Sequence, residues 1–232
     1  MNFSEPTSTL RRSPLYRRHL QDGGTFVEIG DELLVGNYQA LPLEHEASQR
    51  LALCDLSTLA RGGLTGSGAG AYLASDYIDL PLELNASRRQ VNGDTVARLS
   101  AVEYLYLGSS ALLGAASKVP AWTGNAEVKA YALPRRDSHC WFVLTGSEAA
   151  IALSKVCAID FRSHRFADGR VAQTSLARIS AIIVRSDLSK TPSFFILASS
   201  AATEYLWDCI IDAMQEFEGC VVGVDAIRML SK

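Results

Sequence analysis

Few residues in this sequence could do chemistry. Its 4 histidines, His19, His45, His139 and His164, include no pair at the i, i+4 spacing that sets two imidazoles on one helix face, and none stands with cysteines at finger spacing, so no metal centre is expected. His139 and Cys140 are neighbours at the start of a strand, where alternation points them to opposite faces. The 5 cysteines (Cys54, Cys140, Cys157, Cys209, Cys220) form no CxxC pair and mostly sit in apolar runs, the pattern of reduced core thiols in a cytoplasmic protein. No GxSxG elbow and no catalytic-cysteine signature is present, so no residue is assigned a catalytic role. Gly66-Ser67-Gly68-Ala69-Gly70-Ala71 formally fits GxGxx(G/A), a phosphate cradle. The run before it, 59–65, carries Arg61-Gly62-Gly63 instead of a buried parallel strand, and no second strand ending in an acid follows. A glycine-permitted turn opening a helix is the better reading. Arg88-Arg89, Arg135-Arg136 and the cluster at 162–165 read as solvated, with an anion site for a carboxylated ligand as the alternative. Trp122, close to Pro120 and off any core stripe, reads as an interface or stacking residue.

The elements that must position these residues follow from composition and period. Of 232 residues, 48% are hydrophobic and 20% charged, a globular balance that excludes extensive disorder. A formal net charge of -3 argues against a dedicated nucleic-acid binder. No apolar run approaches the roughly 20 residues that a membrane span needs. A unit recurs at 63–77, 104–117, 141–156 and 194–217: a β-rich run, a small-residue turn with serine, then an Ala-rich helix. Ser67, Ser109 or Ser110, Ser147, and Ser199 or Ser200 stand where helix N-caps belong. In the last unit Leu206, Cys209, Ile210, Ala213 and Phe217 form the core stripe, and Gly219 is placed to end the helix. Strands are expected at 95–99 and 103–107, joined tightly near Ser100-Ala101, and at 127–133 and 138–144 around a turn-rich link. The β-branched stretch 171–185 is too long for one flat strand, and a bend or bulge is expected at 177–180. Interleaved helices with hairpin-linked strands predict an α+β fold with mixed or antiparallel sheets and β-α units. The expected organisation is a basic arm over 1–20, with Arg11, Arg12, Arg17 and Arg18, mobile until it docks on a partner or on the domain itself. One domain then covers 21–232, built of interlocked halves at about 21–118 and 119–232, with candidate breaks at 87–94 and 118–125.

In order, these pieces resemble the glycine-cleavage T-protein (aminomethyltransferase) family. Ser13-Pro14-Leu15-Tyr16-Arg17-Arg18-His19 is similar to its "PLY…H" segment. Glu44-His45, Arg50 and Leu53-Cys54-Asp55-Leu56-Ser57 are similar to "EEH…R…G-x-F-D-x-S". Leu64-Thr65-Gly66-Ser67-Gly68-Ala69 resembles the "V-T-G-P-D-A" turn, and residues 223–230 resemble "G-L-x-A-R-D-x-L-R-L-E". Within the family the middle of the chain looks closest to the sarcosine oxidase gamma subunit. The similar runs there are Asp79-Leu80-Pro81-Leu82 with Asn85, Val96-Ala97-Arg98-Leu99, Glu103-Tyr104-Leu105-Tyr106-Leu107-Gly108, Thr174-Ser175-Leu176-Ala177 and Glu204-Tyr205-Leu206-Trp207-Asp208.

The resemblance implies an aminomethyltransferase-type, folate-binding-domain-like fold without the barrel that follows it in a full T-protein. It implies a tetrahydrofolate-linked setting, oxidative N-demethylation with folate capturing the one-carbon unit, and flavoprotein oxidase or dehydrogenase partner subunits that carry the flavin and any nicotinamide. Two departures bear on this chain's own role. The family's Asn-Asp pair corresponds to 75–80, where Asp79 is nearest in spacing and no Asn precedes it. The "GYTGEDGFE" run, whose acid grips the pterin, corresponds to 178–195, where its glycines and glutamate are missing. A pterin's adjacent N–H donors need a fixed carboxylate, so tight folate binding of the usual kind is not expected. The expected function is an accessory, gamma-like subunit with no catalytic residues of its own. The alternative is a standalone folate-dependent transferase using Asp79, with Arg178, Arg185 or Arg228 for the folate carboxylates.

Overall fold

The computed structural model describes residues 10–113, 122 and 124–231. The end of the expected 104–117 unit, most of the 118–125 break and the first nine residues of the basic arm lie outside them. In chain order the elements are α1 (Tyr16–Gln21), β1 (Thr25–Ile29), β2 (Glu32–Asn37), α2 (Leu41–Arg50), β3 (Ala52–Asp55), β4 (Arg61–Thr65), α3 (Ala69–Ser75), β5 (Ala86–Arg89), β6 (Thr95–Arg98) and β7 (Glu103–Leu107). They continue with β8 (Tyr131–Pro134), β9 (His139–Thr145), α4 (Ala149–Ser154), β10 (Val171–Leu176), β11 (Ile179–Arg185), β12 (Ser193–Ser199), α5 (Thr203–Gln215), β13 (Cys220–Val221) and α6 (Val224–Leu230).

Two larger sheets make the frame, and no sheet of the described residues closes into a barrel. One has the order β10-β11-β12-β9-β3-β13, the other β5-β6-β7-β4-β8. The fold is thus α+β, with antiparallel sheets except for the parallel β13–β3 pair. Each sheet takes a strand from the other half of the chain: β3 pairs with β9, and β8 pairs with β4. The central strand β9 explains the layering. Its residues alternate across the pleat, and both faces are buried. Phe142 and Leu144 join Phe194 and Ile196 against Leu153 of α4 and Leu206, Trp207 and Ile210 of α5. Trp141 and Val143 face the other way, with Phe195 and Leu197, against Leu105 and Leu107 of the second sheet and Ile227 of α6. The far side of that sheet carries Leu64, Tyr104 and Tyr106 against Ala69 and Leu73 of α3. The layers are therefore helices, sheet, sheet, helix. The α5 face is turned slightly from the expected stripe, with Trp207 and Met214 buried and Cys209 half exposed.

Several local expectations are corrected. Among the described residues no serine at these positions makes a side-chain cap bond, although Ser199 stands at the N-cap of the short 3-10 turn that leads into α5. The N-caps of α3, α4 and α5 are Gly68, Glu148 and Ala202, without side-chain cap bonds. The first-turn amides are instead satisfied by glycine carbonyls, Ala69 N–H to Gly66 O at 3.0 Å and Ala149 N–H to Gly146 O at 3.1 Å. Gly146 has φ 117°, and a Cβ there would lie 2.2 Å from the Arg50 carbonyl oxygen, so the turn needs glycine for both conformation and space. Strands β8 and β9 do not pair with each other, because the 135–138 link carries the chain from one sheet to the other. The 171–185 stretch is not one bent strand but a hairpin, β10 against β11, with Ala177 and Arg178 both at positive φ in a two-residue turn. The 87–94 segment is no boundary either; it lies in the β5–β6 hairpin. Trp122 packs edge-on against Tyr106 at 5.2 Å and bonds Asp76.

Candidate functional site

The four residues singled out for folate stand at separate places in the fold, and three of them are engaged by the chain's own groups. Asp79, exposed in the turn after α3, accepts from Arg88 Nη1 with both oxygens at 3.0 Å, and its backbone is tied to the Gln90 side chain. Arg178 is exposed at the tip of the β10–β11 hairpin. Arg185 lies at the other end of β11, roughly 20 Å away at about 3.3 Å per residue. Arg185 is buried; it grips Asp187 through two bonds of 2.9 Å and donates to the Phe166 carbonyl. Arg228 of α6 donates to the Ala111 carbonyl and faces Asp225. The fold does not bring the four together.

The stretch that corresponds to the pterin-gripping run is closed as well. Asp187, the one acid there, is spent on Arg185 and on the Ser193 amide. Beside it Leu112, Leu113, Leu188 and Phe195 leave a cavity of about 10 Å³. That volume admits one water and no ring system.

An open cleft of about 430 Å³ lies elsewhere, where the starts of β7 and β9 meet the β10–β11 hairpin between the two sheets. Its floor is Leu99, Ile182 and Leu197. Its wall carries Arg135, whose Nη2 donates to Glu103 Oε1 and whose Nη1 donates to His139 Nε2 at 3.1 Å. A guanidinium can only donate, so Nε2 accepts and the imidazole hydrogen sits on Nδ1, facing Ser138 Oγ at 2.8 Å. Burial, then the charges of Arg135 and Arg61, push the His139 pKa down to about 4, so the ring is neutral at physiological pH. Arg61, itself buried, fixes this link from below by bonding the carbonyls of Arg136 and His139. Gln173 spends both amide hydrogens on Asn85 Oδ1 and Leu99 O, which turns its own carbonyl oxygen free of partners among the described residues. Arg135 and His139 stood out in the sequence only as a basic cluster and a lone histidine. Glu103 and Gln173 sit at ordinary polar positions of strands, and nothing in their spacing marks them.

A second polar centre anchors the N-terminal segment. Leu15 and His19 are buried, so the described part of the arm is docked on the domain. His19 Nε2 bonds Asp55 Oδ2 at 2.9 Å, and Tyr38 Oη bonds His19 Nδ1 at 2.7 Å. Asp55 also accepts from Ser13 Oγ and from the Ser57 amide. Burial alone would raise the Asp55 carboxyl, but the bond and charge of His19 and the donors Ser13 and Ser57 outweigh it and hold it below the ordinary carboxylate range. These bonds tie α1 to β3 and to Tyr38 at the end of β2.

Comparison with known proteins follows the same lines. The chain is 29% identical over 162 residues to the sarcosine oxidase subunit gamma of Corynebacterium sp. (strain U-96), covering 68% of this chain and 74% of that one. A chain of the heterotetrameric sarcosine oxidase from Corynebacterium sp. U-96, solved in complex with pyrrole 2-carboxylate, superposes with a TM-score of 0.63 at 22% identity, over 89% of this chain and 96% of that chain. The glycine cleavage system aminomethyltransferase T from Bartonella henselae superposes with a TM-score of 0.74 at 16% identity, over 96% of this chain and 62% of that chain. At such identities these two structures speak for the fold alone. The family described as the GCVT N-terminal domain matches residues 15–231, nearly the whole chain, and the protein belongs to that family.

Proposed function

We propose that this protein is an accessory, gamma-type subunit of a sarcosine-oxidase-type, tetrahydrofolate-linked amine oxidoreductase that removes N-methyl groups oxidatively in the cytoplasm. It completes the assembly and shields the path of the one-carbon unit; flavin and any nicotinamide belong to partner subunits. The supporting observation is the closed region around Arg185 and Asp187. A chain with this family's domain has there a satisfied ion pair and a 10 Å³ cavity instead of a free carboxylate and a ring-sized pocket. The residues present do not fit a folate in that place.

Two measurements test the reading. Calorimetric titration of the folded chain with tetrahydrofolate is expected to give no micromolar binding. Co-expression with the flavoprotein subunits of a heterotetrameric sarcosine oxidase is expected to give a stoichiometric complex on gel filtration. Micromolar folate binding that Asp79→Ala, Arg178→Ala or Arg228→Ala weakens would overturn the proposal in favour of a standalone transferase.

A further inference from the structure

The open cleft is not the closed region just discussed, and its chemistry is different. Among its described lining residues the ionisable groups are Arg135, Glu103 and His139. Arg135 and Glu103 stand side by side, the first with 17% and the second with 28% of its side chain exposed. They are only partly spent on each other: among the described residues Arg135 Nη2 puts one of its two hydrogens on Glu103, and Glu103 uses a single oxygen on Arg135. His139 is neutral and adds no charge. The wall therefore has zero net charge but a fixed positive and a fixed negative end, above an apolar floor of Leu99, Ile182 and Leu197.

Such a wall discriminates by charge distribution. A simple anion gains Arg135 and is repelled by Glu103; a simple cation meets the reverse. A molecule with a carboxylate and an ammonium a few ångströms apart meets attraction at both ends, and each bond to a charged group in a sheltered cleft strengthens binding about tenfold or more. An aliphatic body has the floor to lie on. The volume of about 430 Å³ is in the range of small-molecule sites and leaves room for such a body.

We propose that this cleft is a binding site for a zwitterionic amino acid with an apolar side chain, its carboxylate on Arg135 and its ammonium on Glu103, with the Gln173 carbonyl oxygen as a second acceptor for the ammonium. The site is a property of the chain by itself and stands or falls independently of the subunit reading and of the folate titration.

The test uses the full chain and three probes, L-leucine, N-acetyl-L-leucine and L-leucine methyl ester, followed by saturation-transfer NMR and by shifts of the His139 ring signals. L-leucine is expected to bind and to move those signals. Removing either ligand charge, in the N-acetyl compound or the ester, should weaken binding about tenfold or more. Arg135→Gln and Glu103→Gln should each remove the preference for the zwitterion. Should these two variants fail to fold, Ser180→Trp, at an exposed cleft position that carries no bond of the wall, should block L-leucine while leaving the circular-dichroism spectrum unchanged. Equal binding of the three probes, no L-leucine binding by the folded wild type at about 10 mM, a concentration that detects even contacts worth only a few kcal/mol, or full binding by a folded Ser180→Trp variant would each overturn the proposal.

Discussion

Removing the His19 imidazole tests how the N-terminal helix is held. In His19→Ala, Asp55 keeps its burial and loses its imidazole partner, the bond at 2.9 Å between side chains only 2% and 4% exposed. Ser13 Oγ and the Ser57 amide remain as donors. The Tyr38 hydroxyl is orphaned, and Trp207 loses the ring that stands edge-on 5.4 Å from its centre. Breaking one side of a buried pair costs about 3–5 kcal/mol. For a chain of this size that lowers Tm by roughly 6–20 °C, at about 2–4 °C per kcal/mol. Urea unfolding followed by circular dichroism and tryptophan fluorescence reads the change. Because the folded Asp55 carboxyl lies below its ordinary value, its contribution is complete above that ordinary value and is lost as pH falls through the folded one. The gap between wild type and His19→Ala should therefore narrow in acid. In an Asp55→Asn background, where no buried carboxylate is left unpaired, His19→Ala should cost about 2 kcal/mol less. A cost under about 1 kcal/mol at neutral pH, or a gap that does not change with acid, would refute the account.

Three further changes test other parts of the fold. Replacing Ala177-Arg178 by Asn-Gly should stabilise the chain by about 1–2 kcal/mol in urea unfolding, because both residues occupy positive φ in a two-residue hairpin turn. Glu32 is buried beside Arg136, and burial pushes its pKa from 4.5 up to about 7 despite that partner. Between those values the folded state holds more protons than the unfolded one, so wild-type stability falls as pH rises through the window. Glu32→Gln should flatten that slope by up to about 3 kcal/mol, measured as Tm against pH. At the turn before α4, Ser147→Ala should change stability by less than about 0.5 kcal/mol, since the hydroxyl makes no cap bond. Gly146→Ala should cost several times more, about 2 kcal/mol or above, because its Cβ meets the Arg50 carbonyl.

The parts of the fold legible in the sequence are those decided within a dozen residues. Strand β9, expected at 138–144, and the 95–107 hairpin lie where the apolar, β-branched runs and the turn chemistry place them. The break in 171–185 was visible too, but as a bend. Nothing marks Ala177-Arg178 as a positive-φ turn when neither residue is Gly, Asn or Asp, and the pairing of β10 with β11 overrides that local cost. Ser67 and Ser147 do not cap for the opposite reason: a left-handed glycine one residue earlier presents its carbonyl to the first amide, and the hydroxyl is not needed there. Exchange of β3 and β8 between the sheets is a long-range choice that no local pattern encodes.

The candidate sites divide along the same line. Matching a motif tells where a side chain stands along the chain; whether that side chain is available depends on partners brought from elsewhere. Arg185 matches a plausible anion-binding position, yet Asp187 and the Phe166 carbonyl occupy its donors. Asp79 matches a catalytic spacing, yet Arg88 covers both its oxygens. No chemical motif singles out Glu103 or Gln173, yet both line an open cleft with bonding capacity left over, because β7 and β10, from different sheets, meet there with Arg135. Where the matched positions are filled by the chain's own ion pairs, unspent hydrogen-bonding capacity beside open volume is the better guide to where a ligand can bind, and it leads to the cleft.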